Sequence, residues 1–234
     1  MIAQLVCYYL PPTPLRLREY STALQHNINN TQISEIHLFQ EDSALEACEW
    51  PEAKRMRELW KSPKIKSVGI RKRQTYSNLI DYANENLQGY TTMISSSDIF
   101  YDATLSFLER INFSKNVVCL SRIELSEAVH TGYTRLALRE DGNKMFVLTD
   151  EVKSFSQDTW VFKPPIKKIN ADFYMGIMRC DNRIAFEFNK IGFQPINPCN
   201  NIRSYHLHDS AVKTYTSADV VPGPVLFIKP PYDL

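Results

Sequence analysis

Glycine is scarce in this chain, seven residues in 234. Neither a G-x-G-x-x-G nor a G-x-x-x-x-G-K run occurs, which excludes the glycine-cradled phosphate sites of dinucleotide-binding dehydrogenases and P-loop enzymes. A dominant charge is lacking too: 27 Lys and Arg face 26 Asp and Glu. No global field therefore announces a nucleic acid or an acidic membrane, and any basic site is local. The five cysteines, Cys7, Cys48, Cys119, Cys180 and Cys199, are scattered and never form a C-x-x-C pair. That speaks against a disulfide framework or a structural zinc site and fits a reducing cytoplasm. No apolar run approaches the roughly 20 residues of a membrane span. Met1 to Leu10 carries neither a basic leader nor a small-residue cleavage site, so no transmembrane or secretory segment is expected, and the expected location is cytoplasmic. The N-x-S/T triplets at Asn29 and Asn112 then read as chance.

Hydrophobic residues make up 44% and charged residues 23% of the chain, globular values that exclude general disorder, collagen and coiled coils. Ile2 to Leu10 is a near-continuous apolar, β-branched and aromatic run stopped by Pro11, Pro12 and Pro14. This is the pattern of a central strand covered on both faces. Leu17, Tyr20, Leu24 and Ile28 recur at helical spacing, and Ile33 to Phe39 reads as the next strand. Further strands are predicted at Lys64 to Ile70, Tyr90 to Ser95 and Asn116 to Leu120, with helices at Tyr76 to Leu87 and Thr104 to Ile111. The alternation predicts an α/β fold: a mostly parallel, Rossmann-like sheet flanked by helices, with ligands outside the carboxyl ends of the strands. The second half reads as an α+β elaboration. It has a hairpin from Leu136 to Leu148 around Asp141-Gly142-Asn143, a helix closing near Gly192, and a proline-rich extended tail from Val221.

Four constellations carry possible chemistry. Ser95-Ser-Ser-Asp98 follows a strand directly, placing a carboxylate where Mg2+ or Mn2+ is held beside phosphate oxygens, whereas Asp102 reads better as a helix N-cap. His206 and His208, at i and i+2 of a strand-like run, share a face; they are either ligands together or surface or satisfied core residues, and no third zinc ligand lies nearby in sequence. Asp181 opens a helix, as its cap or as a general base at its N-terminus. From Lys54 to Arg73, nine basic residues meet one acid, Glu58. Most of that run is a solvated face, but Arg71 to Arg73 falls at a strand's carboxyl end, where guanidinium groups pair with a diphosphate or another polyanion.

In order and spacing, these pieces resemble a family of small GT-A glycosyltransferases, the nucleotide-diphospho-sugar transferase fold of bacterial surface-polysaccharide and viral enzymes. The likeness runs from Ile2 to about Ser210. It rests on Ile33-Ser-Glu-Ile-His-Leu-Phe39 with Glu41-Asp42, Lys72-Arg-Gln-Thr-Tyr76 with Asp81-Tyr-Ala-Asn84, and Ser97-Asp-Ile-Phe-Tyr-Asp102. It continues through Ser121-Arg122, Ser156-Gln-Asp-Thr-Trp160, Cys180-Asp-Asn-Arg183, Asn197-Pro198 and Tyr205-His-Leu-His208.

The resemblance implies one glycosyltransferase domain, 1–125 binding the nucleotide-sugar, 126–210 carrying the acceptor and catalytic half, and 211–234 forming the tail. It implies a UDP- or GDP-sugar donor, a divalent cation, and a glycan acceptor, with a nucleic-acid acceptor as a variant. Tyr8, Glu41 and Asp42 would then approach the nucleoside; Arg73, Thr75, Tyr76, Asn84 and Ser97 would line the rest of the donor site. Asp98, with His208 and His206, would hold the metal, and Asp181 would be the base. Asp158 would be a second catalytic carboxylate and Trp160 would line the sugar and acceptor side. Where the family has Asp-x-Asp, this chain has Ser96-Ser97-Asp98, so weaker metal affinity is expected. A catalytically silent sugar-nucleotide or glycan-binding domain, a viral-type enzyme acting on modified DNA bases, and a nucleotidyltransferase are the competing readings.

Overall fold

The N-terminal apolar run becomes β1 (Ile2–Tyr8), central as its composition requires: β2 (Ile33–Glu41) pairs parallel on one side and β4 (Thr91–Ser95) on the other. β3 (Ile65–Ile70) continues the sheet parallel to β2 and ends it. Lys66 and Ser67 are exposed on this strand, and a lysine on an edge strand discourages pairing with other chains. The computed structural model describes residues 1–41, 45–125, 134–138, 144–208, 210, 216, 218–230 and 232–234, with the backbone alone at 41, 134–138, 144, 146 and 150.

Because side chains alternate across a strand, β1 feeds two cores. Val6 and Tyr8 meet Leu17, Tyr20 and Leu24 of α1 (Pro14–Asn29) and Met56 of α2 (Pro51–Leu59). Ala3 and Leu5 meet Leu79 and Ile80 of α3 (Tyr76–Asn86) on the opposite face, with Ile184 and Phe188 of α5 (Cys180–Lys190). The sheet is thus flanked by helices on both faces.

Beyond β4 the pattern departs from a simple doubly wound sheet. β6 (Asn116–Leu120), predicted as the next parallel strand, does not touch β4; β10 (Thr159–Phe162) inserts between them, antiparallel to both, and β11 (Gln194–Ile196) pairs parallel with β6. The order is β11-β6-β10-β4-β1-β2-β3. A second sheet is assembled from short strands: β5 (Ile99–Tyr101), β7 (Ile123–Glu124), β8 (Thr134–Leu138), β9 (Lys144–Leu148) and β12 (Ser204–His206), ordered β5-β12-β7-β9-β8. β8 and β9 form the predicted antiparallel hairpin, while its Asp141-Gly142-Asn143 turn lies outside the described residues.

Other local departures have local causes. The helix expected at Thr104 to Ile111 is a 3₁₀ helix, Ala103–Arg110, and Asp102 is its N-cap, its carboxylate accepting from the Thr104 amide at 2.9 Å. A short helix, α4 (Asp150–Lys153), precedes β10. Asp181 does not cap α5: the cap position is Arg179, held at φ 71°, and the Asp181 side chain turns elsewhere. The described residues of the tail lie on the body of the protein, with Val221 and Ile228 buried. No helix of the described residues is long and apolar enough to cross a membrane.

Candidate functional site

Strand direction brings the site together. β4 ends at Ser95, whose register partner is Thr159 at the start of antiparallel β10, and Thr159 also faces Leu120 at the end of β6. Three chain segments therefore emerge at one edge: Ser96 to Asp98, Ser121-Arg122, and Asp158. Backbone bonds lock them, Ser96 N donating to Asp158 O at 3.1 Å and Asp158 N to Leu120 O at 3.2 Å. β12 then crosses beside β5 and β7, and Leu207 N donates to Asp98 O at 3.1 Å, setting the two histidines over the same edge.

Asp98, His206 and His208 place one ligand atom each within 4.8 Å of one another. Asp98 Oδ2 accepts from Arg16 Nη2 at 2.5 Å and from His206 Nε2 at 3.0 Å. The other His206 nitrogen, Nδ1, donates to Glu124 Oε2 at 2.6 Å. Burial works against charge on this imidazole, but the carboxylates of Asp98 and Glu124 outweigh it and raise its pKa to about 10, so both ring nitrogens carry protons at neutral pH. Burial would also push Glu124 up, yet His206 and Arg122 hold it down at about 2. Asp98 is likewise held well below the carboxylate range by His206 and Arg16 against its own burial. His208, whose ring centroid lies 5.1 Å from that of His206, has its pKa lowered by burial and by the neighbouring cations His206 and Arg16. It is the neutral imidazole of the pair.

Arg122 extends this network toward the second acidic group. Its Nε donates to Glu124 Oε1 at 2.5 Å, and its Nη1 to Asp158 Oδ2 at 2.5 Å and to Ser156 Oγ at 2.7 Å. Asp181 lies beyond, accepting from Gln157 N at 3.3 Å and from the Cys180 thiol at 3.0 Å. Burial and the nearby Asp158 charge raise its pKa to about 7. That value suits a general base at neutral pH.

The remaining residues singled out from sequence are placed as follows. Tyr8 is buried, its hydroxyl donating to Tyr20 O and Ser97 O at 3.3 and 3.4 Å, and Ser97 Oγ donates to Cys7 O at 2.9 Å. Thr75 is the N-cap of α3 in a reciprocal capping box with Asn78. Tyr76 packs edge-on against Trp160, centroids 5.0 Å apart. Trp160 is fully buried in the core and so does not line an open acceptor site, because β10 runs through the middle of the sheet. Asn84 exchanges both of its side-chain bonds with the Ile166 backbone, at 3.0 and 2.9 Å. Arg73 donates to Met175 O and lies over the Tyr174 ring. Asp42 and the Glu41 side chain lie outside the described residues.

Nothing local in the sequence singles out Arg16, and neither Glu124 nor Arg122 has a role until its partners are known. The available signal was two charges, at positions 122 and 124, in the otherwise strand-like run from Asn116 to Leu125; a buried charge demands a partner.

No protein-family model matches the sequence, and no curated protein does. Solved structures do. The mannosyltransferase PcManGT from Pyrobaculum calidifontis, in complex with GDP-Man and Mn2+, superposes at a TM-score of 0.52 with 14% identity, covering 91% of this chain and 58% of its own. GalNAc-T7 with UDP, GalNAc and Mn2+ superposes at 0.51 with 12% identity, covering 88% of this chain and 43% of its own. The fold is GT-A. The chain spans about half the length of these two neighbours. At this identity the likeness establishes the GT-A fold, and the chemistry rests on the side chains at the sheet's carboxyl edge.

Proposed function

We propose that this chain transfers a sugar from a nucleotide-diphosphate sugar, with UDP or GDP as the nucleotide, to a hydroxyl acceptor, a glycan being the acceptor favoured. The observation that carries the reading is the convergence of Asp98 and His208 with Asp158 and Asp181 at one edge of a GT-A sheet. Both GT-A neighbours contain a nucleotide or nucleotide-sugar together with Mn2+.

The donor set fits a divalent cation through Asp98 and His208, a carboxylate and a neutral imidazole. His206 fits less well, since both of its nitrogens are engaged with carboxylates. When bound, the cation supplies Lewis-acid neutralisation of the diphosphate. Arg16 and His206 add positive charge beside the same position, where negative charge grows on the leaving nucleoside diphosphate. Asp181 accepts the proton of the acceptor hydroxyl. Asp158, oriented by Arg122, keeps Asp181 basic by its proximity.

The test is a thermal-shift panel of UDP, GDP and their sugars, with and without Mn2+, on the wild type and Asp98→Asn, followed by transfer assays with the nucleotide that binds. The expected result is a Mn2+-dependent rise in midpoint, lost in Asp98→Asn. A protein that no nucleotide shifts is not a transferase of this kind. One that binds the donor but neither hydrolyses nor transfers it is a sugar-nucleotide-binding domain.

A further inference from the structure

Val220 to Ile228 reads Val-Val-Pro-Gly-Pro-Val-Leu-Phe-Ile, nine residues without a polar side chain. Such a run normally goes inside. Here only its two anchors do, Val221 and Ile228, while Val220, Pro222, Gly223, Pro224 and Phe227 are exposed, Phe227 to 61%.

The run is nevertheless firmly tied. Val221 N donates to Met178 O at 3.0 Å, Leu226 N to Asn182 O at 3.0 Å, and Ile228 N to Ser154 O at 2.9 Å. The buried Asn182 amide clasps two segments at once, donating to Leu226 O at 3.1 Å and Ser154 O at 3.3 Å. Arg183 Nε donates to Pro222 O at 3.2 Å, and Gly223 turns there with φ +99°, where a Cβ would come within 3.0 Å of the same Nε. The exposed apolar surface is therefore held open by design of the backbone, and it is not a loose end.

These bonds also gather other exposed apolar side chains. Among the described residues eight large hydrophobics are exposed, and five of them, Phe155, Tyr174, Met178, Val220 and Phe227, belong to the segments joined here. The ledge surrounds the first turn of α5, next to Asp181. The balance of charge around it is positive: residues 71–73, 150–155, 172–179 and 218–229 contain six cations and four acids, Asp150, Glu151, Asp172 and Asp219. Arg179 and Lys229 stand exposed on the ledge itself.

We propose that this ledge docks on the surface of an anionic lipid bilayer. A bilayer interface matches both components, taking apolar side chains into the boundary region while headgroups face the cations. The alternatives match one each. A second copy of the chain on a two-fold axis would bring the ledge's cations toward their own equivalents. A nucleic acid would satisfy Arg179 and Lys229 but leave Val220, Met178 and Phe227 without a use. A free glycan would stack on the aromatic rings but gains little from valine, methionine and proline.

The test is flotation of the full chain with vesicles of phosphatidylcholine alone and of phosphatidylcholine with phosphatidylglycerol, without nucleotide, at low and physiological salt. We expect flotation with the anionic vesicles only, weakened by salt. Phe227→Ser is expected to lower partitioning about tenfold, the order set by burial of one phenylalanine. Lys229→Glu, at an exposed position that leaves folding intact, is expected to lower it as well. Asp98→Asn is expected to float like the wild type, which separates this inference from the transferase reading. A wild-type chain that stays unbound to anionic vesicles overturns it. So does flotation that neither substitution affects, or a dimer in light scattering that Phe227→Ser dissolves.

Discussion

His206 donates to Glu124 across 2.6 Å, between strands β12 and β7 that run parallel and 82 residues apart in sequence. The pair is the middle of a continuous chain of side-chain bonds, Arg16 to Asp98 to His206 to Glu124 to Arg122 to Asp158. Cation and anion alternate along it without interruption. It holds the Asp98 edge and the Asp158 edge in one fixed arrangement, and four of the five predictions below disturb it or its neighbours.

Glu124→Gln leaves two buried cations, His206 and Arg122, short of a carboxylate. Breaking a buried pair in this way costs about 3 kcal/mol. Urea unfolding at pH 7 measures it, and a loss no larger than that of a surface substitution would show that the network contributes orientation without stability.

The same network sets a pH dependence of stability in metal-free protein. His206 has its folded pKa raised from 6.5 to about 10, so its contribution is complete below pH 6.5 and is lost as pH rises through about 10. Glu124 has its folded pKa depressed from 4.5 to about 2, so its contribution is present above 4.5 and is lost as pH falls toward 2. Unfolding free energy measured in chelator is expected to fall between pH 7 and about 8.5, below the range where the buried phenols and thiols, also raised, add slopes of the same sign, and His206→Gln to remove that fall.

The proposed transfer has a different acid limb. Asp181 must be ionised to accept a proton, and burial with the Asp158 charge raises its pKa to about 7, so the rate is expected to fall below that pH. Asp158→Asn removes the neighbouring charge and moves the limb to lower pH. A limb that stays in place in Asp158→Asn assigns the base elsewhere.

Arg16 competes with any divalent cation for Asp98, whose Oδ2 it holds at 2.5 Å. Arg16→Met is therefore expected to tighten Mn2+ binding several-fold in titration calorimetry while lowering the thermal midpoint. Weaker Mn2+ binding would mean that Arg16 positions Asp98 for the metal.

Thr75 caps α3 through its side chain. Thr75→Ala is expected to cost about 1 kcal/mol of stability and to leave nucleotide binding unchanged. A loss of nucleotide affinity at unaltered stability would return Thr75 to the donor site.

The parallel half of the fold was legible because its elements announce themselves locally. Ile2 to Tyr8 is apolar enough to be a strand buried on both faces, and Leu17, Tyr20 and Leu24 mark the stripe of α1. Asp98 was legible because it follows such a strand. The insertion of β10 between β4 and β6 was not, since Thr159 to Phe162 reads as a strand of either direction until its neighbours are known. β5, β7 and β12 are two or three residues long and exist only through their pairing with one another.

The sequence by itself determined the alternating α/β core, the lack of glycine-rich phosphate motifs, and the positions of a carboxylate just after one strand and of two histidines on one face of another. All of these are properties of neighbouring residues, fixed by periodicity and by the chemistry of single side chains. The tertiary structure alone decided which charges meet. Arg16, Glu124 and Arg122 acquire roles because burial removes water as their partner and leaves the charged side chains of Asp98, His206 and Asp158 and the Arg122–Glu124 pair itself. It also decided that an apolar tail ends tied down on the surface: Val221 and Ile228 supply the two buried anchors, and four backbone or side-chain bonds from distant segments hold what lies between.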